Sequence, residues 1–255
     1  MTNCVTEESL ENLVVDLGGG VTLEMVLIPA GQFLMGSSDS DKDARGAEKP
    51  QHQVRITKPF HLGKYEVQQV QWEAVMGNNP STFTGAKNPV EQVSWDDCQE
   101  FLGKLNAKTV EQGGKFVLPT GAEWEYACRG GSTTRFSFGD SARNLGEYAW
   151  YNDNSDKKTH PVGGKKPNAW GLYDMHGNVW EWCHDLYDEK YYSNSATDDP
   201  QGPSLGSRRV LRGGSWRIPA GICRSAGCDS GVPGYRDTGL GFRVARVPQL
   251  SKAGA

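Results

Sequence analysis

The segment Arg209 to Arg246, RVLRGGSWRIPAGICRSAGCDSGVPGYRDTGLGFRVAR, constrains the fold more than any other part of the chain. A short strand signal at Arg209 to Arg212 leads into Gly213-Gly214-Ser215-Trp216. An alternating strand signal (Leu240, Phe242, Val244 against Gly241, Arg243) closes the segment. The residues between are Gly, Pro, Ser, Asp and Arg with few large apolar groups, which is the composition of a loop. A loop pinned at both ends by buried strands holds an adaptable surface on a rigid support, and binding chemistry concentrates on such surfaces.

The 255 residues suffice for one large domain. With 32 Gly and 8 Trp the chain is loop-rich, and aromatic side chains supply much of its core. Thirty-one acidic against 27 basic residues give a net charge of −4 with no basic stripe, which argues against a nucleic-acid partner. No apolar run reaches membrane-spanning length, and no charged-then-apolar segment opens the sequence.

Cys4, Cys98, Cys128, Cys183, Cys223 and Cys228 match no small-domain disulfide framework and no paired zinc spacing, so buried free thiols are expected. Cys4 lies in a polar lead, where lipid attachment is an alternative. The lead covers residues 1–20, a single domain covers 21–247, and 248–255 form a tail.

Two short strands are expected in Glu24–Gly31 and Phe33–Gly36, and further strands in Gln53–Ile56 and Phe60–Tyr65. Residues 37–50, with the acidic run Asp39 to Asp43, read as a solvated loop. Val67, Val70, Ala74 and Val75 have helical spacing, with Gly77 as terminator. Ser94 caps a second helix whose apolar face is Cys98, Phe101, Leu102 and Leu105. Thr120, with Glu123 three residues on, caps a third.

Five blocks in fixed order resemble the formylglycine-generating enzyme (sulfatase-modifying factor) family: IPAGQFLMGS at Ile28, NPVEQVSWDDC at Asn88, LPTGAEWEYACRGG at Leu118, GLYDMHGNVWEW at Gly171, and RGGSW through GLGFRVAR. The resemblance covers residues 22–246. It implies an α+β, C-type lectin-like fold with two main helices, small antiparallel sheets and much loop. The fold hosts unrelated functions, so activity must be argued from the site. Family oxidases bind copper(I) through two cysteines after the GGS motif, and soft sulfur suits that ion. Here the first position is Ile218 and the second Cys223, so copper-dependent oxidation is disfavoured and no catalytic cofactor is expected. The family bridge from Cys128 is absent, since Val244 stands where the family has its second cysteine, and no upstream partner for Cys228 is found.

The same fold variant resembles the variable proteins of diversity-generating retroelements, among them a treponemal one. There, unfaithful copying of template adenines turns AAC codons into many residues but never Lys, Glu, Gln, Met or Trp. None of those five occurs between Arg217 and Gly239. Fourteen positions fit such codons: Arg217, Ile218, Pro219, Ile222, Gly227, Cys228, Asp229, Ser230, Gly231, Val232, Tyr235, Asp237, Thr238 and Gly239. Ala220-Gly221, Cys223 to Ala226, Arg236 and Leu240 to Arg243 read as the fixed frame, with Arg224 and Arg236 holding loop carbonyls or acids. An aromatic or arginine anchor among small residues has the composition of a paratope.

The resemblance implies a monomeric, non-enzymatic receptor or adhesin with a clone-specific protein ligand. It would be exported to a bacterial cell surface or the periplasm, with a lipid anchor at Cys4 as an alternative. An oxidase using Cys223 differently is the alternative. The family positions Asp174, Gly177, Val179 and Glu181 imply a structural calcium, for which oxygen ligands are suited. A second family calcium loop is shortened between Tyr148 and Gly163. His176 and His184 lack zinc-protease spacing and are expected to be satisfied or solvated.

Overall fold

In the computed structural model, described over residues 11–247, local capping chemistry fixes the helices. Helix α1 spans Gln69–Met76 and stops at Gly77, whose φ of 80° is the left-handed conformation that ends a helix. Helix α2 spans Trp95–Lys108. The Ser94 hydroxyl accepts from the Asp97 amide at 3.1 Å, and the Asp97 carboxylate accepts from the Ser94 amide at 2.8 Å. This reciprocal pair satisfies two amides that a helix start leaves without partners. Helix α3, Gly121–Arg129, repeats the device with Thr120 and Glu123 and is buried at every residue except Glu123. A one-turn helix, α4, spans Leu145–Tyr148. The third helix expected from Thr120 and Glu123 is thus α3, a central element beside the two main helices α1 and α2.

The strands are β1 (Leu13–Asp16), β2 (Thr22–Ile28), β3 (Gly31–Met35), β4 (His52–Ile56), β5 (Phe60–Gly63), β6 (Lys115–Val117), β7 (Trp180–Leu186), β8 (Arg209–Arg212), β9 (Cys228–Gly231), β10 (Leu240–Gly241) and β11 (Ala245–Val247). They form a five-stranded antiparallel sheet in the order β1-β2-β5-β11-β6, a four-stranded sheet β10-β7-β8-β9 and the hairpin β3-β4. Among the strands of the described residues, only the β10–β7 pairing is parallel. Strand β1 falls inside the segment expected to be a lead: Val15 and Leu17 are buried while Val14 faces outward, the alternation of a half-buried strand.

The closing segment expected as one strand is two. Strand β10 joins the four-stranded sheet and β11 the five-stranded one, so Phe242 to Val244 stitch the sheets together. Arg243, on the opposite side of the alternation from Phe242 and Val244, is also fully buried between them. Its guanidinium donates to both Glu181 oxygens at 2.7 Å and to the Gly63 and Tyr173 carbonyls at 3.0 Å. A pair placed so deep is tolerated because every guanidinium nitrogen has an acceptor.

Under α1 and α2, Trp72 stacks on Phe101 at 5.3 Å between ring centres and Phe242 meets both edge-on. Aromatic pairs of this kind add about 0.5–1.5 kcal/mol beyond burial. A second core packs Trp124 of α3 against Ile28, Val54 and Met175, and a small third one gathers Phe136, Leu145, Ala149 and Cys223. Cys98, Cys128, Cys183, Cys223 and Cys228 are buried and unpaired, as the spacing implied. Cys4 lies outside the described residues. No helix among them is long and apolar enough to cross a membrane.

Candidate ligand-binding cleft

Strand β8 ends at Gly213 and Gly214, both with left-handed φ (94° and 81°). A β-carbon at Gly214 would lie 2.6 Å from the Cys223 sulfur, so glycine is required for the chain to fold back this tightly. Residues 215–227 form a first loop and residues 232–239 a second. Between them runs β9, antiparallel to β8, where the sequence had indicated only loop. Cys-Asp-Ser-Gly has little strand preference of its own; the free edge of β8 imposes the conformation.

The two loops and the β9 edge enclose an open cleft of about 400 Å³. Its lining includes the apolar Trp180, Leu211, Leu240 and Ile218, with Arg208, Arg217, Asp229, Ser230, Val232, Tyr235 and Asp237 among them. Seven of the fourteen positions singled out in sequence thus contribute side chains to one cavity: Arg217, Ile218, Asp229, Ser230, Val232, Tyr235 and Asp237. Gly231 lines it with backbone. Asp237 organises one side, accepting from Arg217 at 2.6 Å, Tyr235 at 3.2 Å and the Gly239 amide at 2.7 Å. Asp229 faces Arg45 at 3.4 Å. Burial, with the nearby Asp237 carboxylate adding to it, raises the Tyr235 phenol above its ordinary value, so it is a protonated donor.

The other positions are placed differently. Pro219 is exposed and Ile222 and Thr238 half-buried, outside the cleft lining. Ile222 packs on the main core, and Ile218 touches the main core and the small third one. Gly227, Cys228, Gly231 and Gly239 are buried. A β-carbon on Gly227 would lie 2.2 Å from the Ile222 carbonyl oxygen, and one on Gly231 2.7 Å from the Trp182 ring. Burial raises the Cys228 thiol to about 11. These four offer a ligand no side chain as they stand; the presenting set is smaller than the codon pattern marks.

The frame is held from below by residues that sequence reading took partly as solvated. Arg224 is buried and donates to Glu48 at 2.6 and 2.9 Å, Asp41 at 3.1 Å, Ser37 at 2.9 Å and the Gly221 and Asp43 carbonyls. Asp41 is therefore an internal counter-ion, and the acidic run is clamped to the first loop. Arg236 makes a two-pronged bond to Asp97 at 2.7 Å on the surface. His176 is buried beneath the first loop. Its Nδ1 lies 2.9 Å from the Cys223 carbonyl oxygen, and its Nε2 accepts from Ser137. Burial, chiefly, lowers its pKa to about 4, so it is neutral and donates to that carbonyl. Trp180, Leu211 and Arg208 were missed because they lie outside residues 217–239, and Trp180 reaches the cleft only through the pairing of β7 with β8 and β10.

Neither metal that the resemblance implies is accommodated by the residues present. Copper(I) needs two thiolates. Cys223 is wholly buried with its thiol pushed up to about 12 by burial, and what stands beside it is Ile218, whose carbonyl is 3.9 Å away. For calcium, Asp174 has a buried oxygen without a partner, and burial pushes its pKa up to about 6. Glu181, however, is bound by Arg243 and by the Trp124 ring nitrogen at 2.7 Å. An ion coordinated by Asp174, Gly177, Val179 and Glu181 would share a carboxylate with a fixed guanidinium charge, so the set does not fit calcium in this arrangement.

Residues 19–248 match the family described as the sulfatase-modifying factor enzyme 1-like domain. The formylglycine-generating enzyme of Streptomyces coelicolor is 30% identical, with 92% of each chain covered. The chaperone protein LppX of Paenibacillus barcinonensis is 32% identical, over 77% of this chain and 79% of that one. Among solved structures, Treponema denticola variable protein 1 superposes with a TM-score of 0.85 at 35% identity, covering 93% of this chain and 99% of the other. PvdO from Pseudomonas aeruginosa gives 0.80 at 29%, covering 92% and 97%.

Proposed function

The chain belongs to the sulfatase-modifying factor enzyme 1-like family, and on that premise we propose that it is a non-enzymatic binding protein whose C-terminal surface a retroelement diversifies. The observation that carries the reading is the cleft. Side chains at seven codon-compatible positions meet in one 400 Å³ cavity, while the residues that hold the frame lie between or beneath them. The likeness to a treponemal variable protein over nearly its whole length supports it. The ligand is a clone-specific protein, bound by a monomer exported to a bacterial cell surface or periplasm.

The gene offers a direct test. A near-identical repeat differing only opposite template adenines, beside a reverse transcriptase, is expected near the coding sequence. A genome that carries neither would overturn the proposal.

A second reading, an oxidase using Cys223, is favoured by the similarity to formylglycine-generating enzymes. It requires a thiolate where burial holds a neutral thiol. Stoichiometric copper(I) binding, with thiol oxidation lost in Cys223→Ser, would establish the oxidase; absence of both favours the binding protein.

A further inference from the structure

Each aspartate of the cleft already faces an arginine, Asp237 facing Arg217 and Asp229 facing Arg45. Arg208 is the exception. It is exposed at the cleft wall, and no acidic side chain lies within salt-bridge distance of it among the described residues. Its Nε donates to the Ser230 hydroxyl at 2.8 Å and one terminal nitrogen donates to the Ser230 carbonyl at 2.5 Å. Those two bonds use one edge of the guanidinium and fix its plane. Its remaining donors are left for a further acceptor, the geometry that takes a carboxylate with both oxygens. Leu211 and Leu240 line the same cavity.

Two features set Arg208 apart from the rest of the rim. It precedes β8 and so lies outside the segment 217–239 in which replacement is proposed. One of its bonds is to the backbone of residue 230, which no side-chain change there removes.

We infer that Arg208 is a fixed carboxylate anchor, so that ligands of this cleft present an aspartate or glutamate side chain beside a large apolar one. This rests on the binding reading above. The apolar group fills the floor, the acid meets Arg208, and the diversified rim discriminates among ligands that share both.

A random-peptide phage library selected on the purified chain tests it. Selected peptides are expected to be enriched in Asp or Glu adjacent to Leu, Phe or Trp. Made synthetically, they should bind Arg208→Gln at least about tenfold more weakly. Arg208→Lys, which keeps the charge and loses the fork, should fall between. Tyr235→Ala and Val232→Ala mark the cleft and should weaken the same peptides. Peptides that respond to both markers but carry no acid and ignore Arg208→Gln would overturn the anchor and leave the cleft standing. Peptides that ignore the markers as well would overturn both.

Discussion

At Gly227 a methyl group has nowhere to go, whereas at Val232, exposed in the second loop, any side chain has water on one side. Gly227→Ala should cost about 1–3 kcal/mol through overpacking. Val232→Ser should stay within about 0.5 kcal/mol. Urea unfolding of the two variants separates them, and siblings of this chain should keep Gly227 while residue 232 changes.

His176 makes a prediction about acid. Its folded pKa of about 4 lies below the ordinary 6.5 of an unfolded histidine. Between those values the unfolded chain holds a proton that the fold excludes, so stability falls as pH falls through this window. The loss is about 3 kcal/mol. Buried Asp174 and Asp185, both raised to about 6 by burial, act in the opposite direction in the same range. Comparison with His176→Gln cancels them. The stability difference, wild type minus variant, should decline from pH 7 to pH 4; a constant difference would show that His176 titrates normally.

Among the elements, the two loops depend on arginines of unequal weight. Arg224 and Glu48 are both buried, and removing one partner leaves a charge without compensation, so Arg224→Met should cost about 3–5 kcal/mol. Arg236 and Asp97 sit at the surface, and Arg236→Met should cost under about 1 kcal/mol. Thermal unfolding of both variants checks the ranking; equal losses would mean that the clamp on the acidic run carries no special load.

The helices were legible because their signals are local: Ser94 with Asp97, Thr120 with Glu123, and Gly77 all act within one turn of the helix end they define. The segment bearing the cleft was legible through its Gly-Gly and Gly-Phe-Arg boundaries. Strand β9 was not, since Cys-Asp-Ser-Gly becomes a strand only beside β8. Nor were the counter-ions of Arg224, which come from the charged loop more than 170 positions earlier in the chain. Burial at Gly227 and Gly231 was equally hidden, because a glycine compatible with a changeable codon reads the same whether it faces water or the Trp182 ring.

For the whole molecule, two sheets joined through Phe242 to Val244 and three cores form a body to which the cleft rim adds little. Tyr235, Val232 and Arg217 are exposed, and the hydrogen bonds among Arg217, Tyr235 and Asp237 stay within the rim. On the proposed binding role, stability and specificity would reside in different residues, and the body should tolerate change where a ligand would touch. The direct measurement is a library randomised together at Arg217, Asp229, Ser230, Val232, Tyr235 and Asp237, with Gly227, Cys228, Gly231 and Gly239 left intact, scored for cooperative thermal unfolding. Most members should melt within a few degrees of the parent, since surface changes usually cost within about 0.5 kcal/mol each. A library in which most members fail to fold would contradict the separation of rim from body.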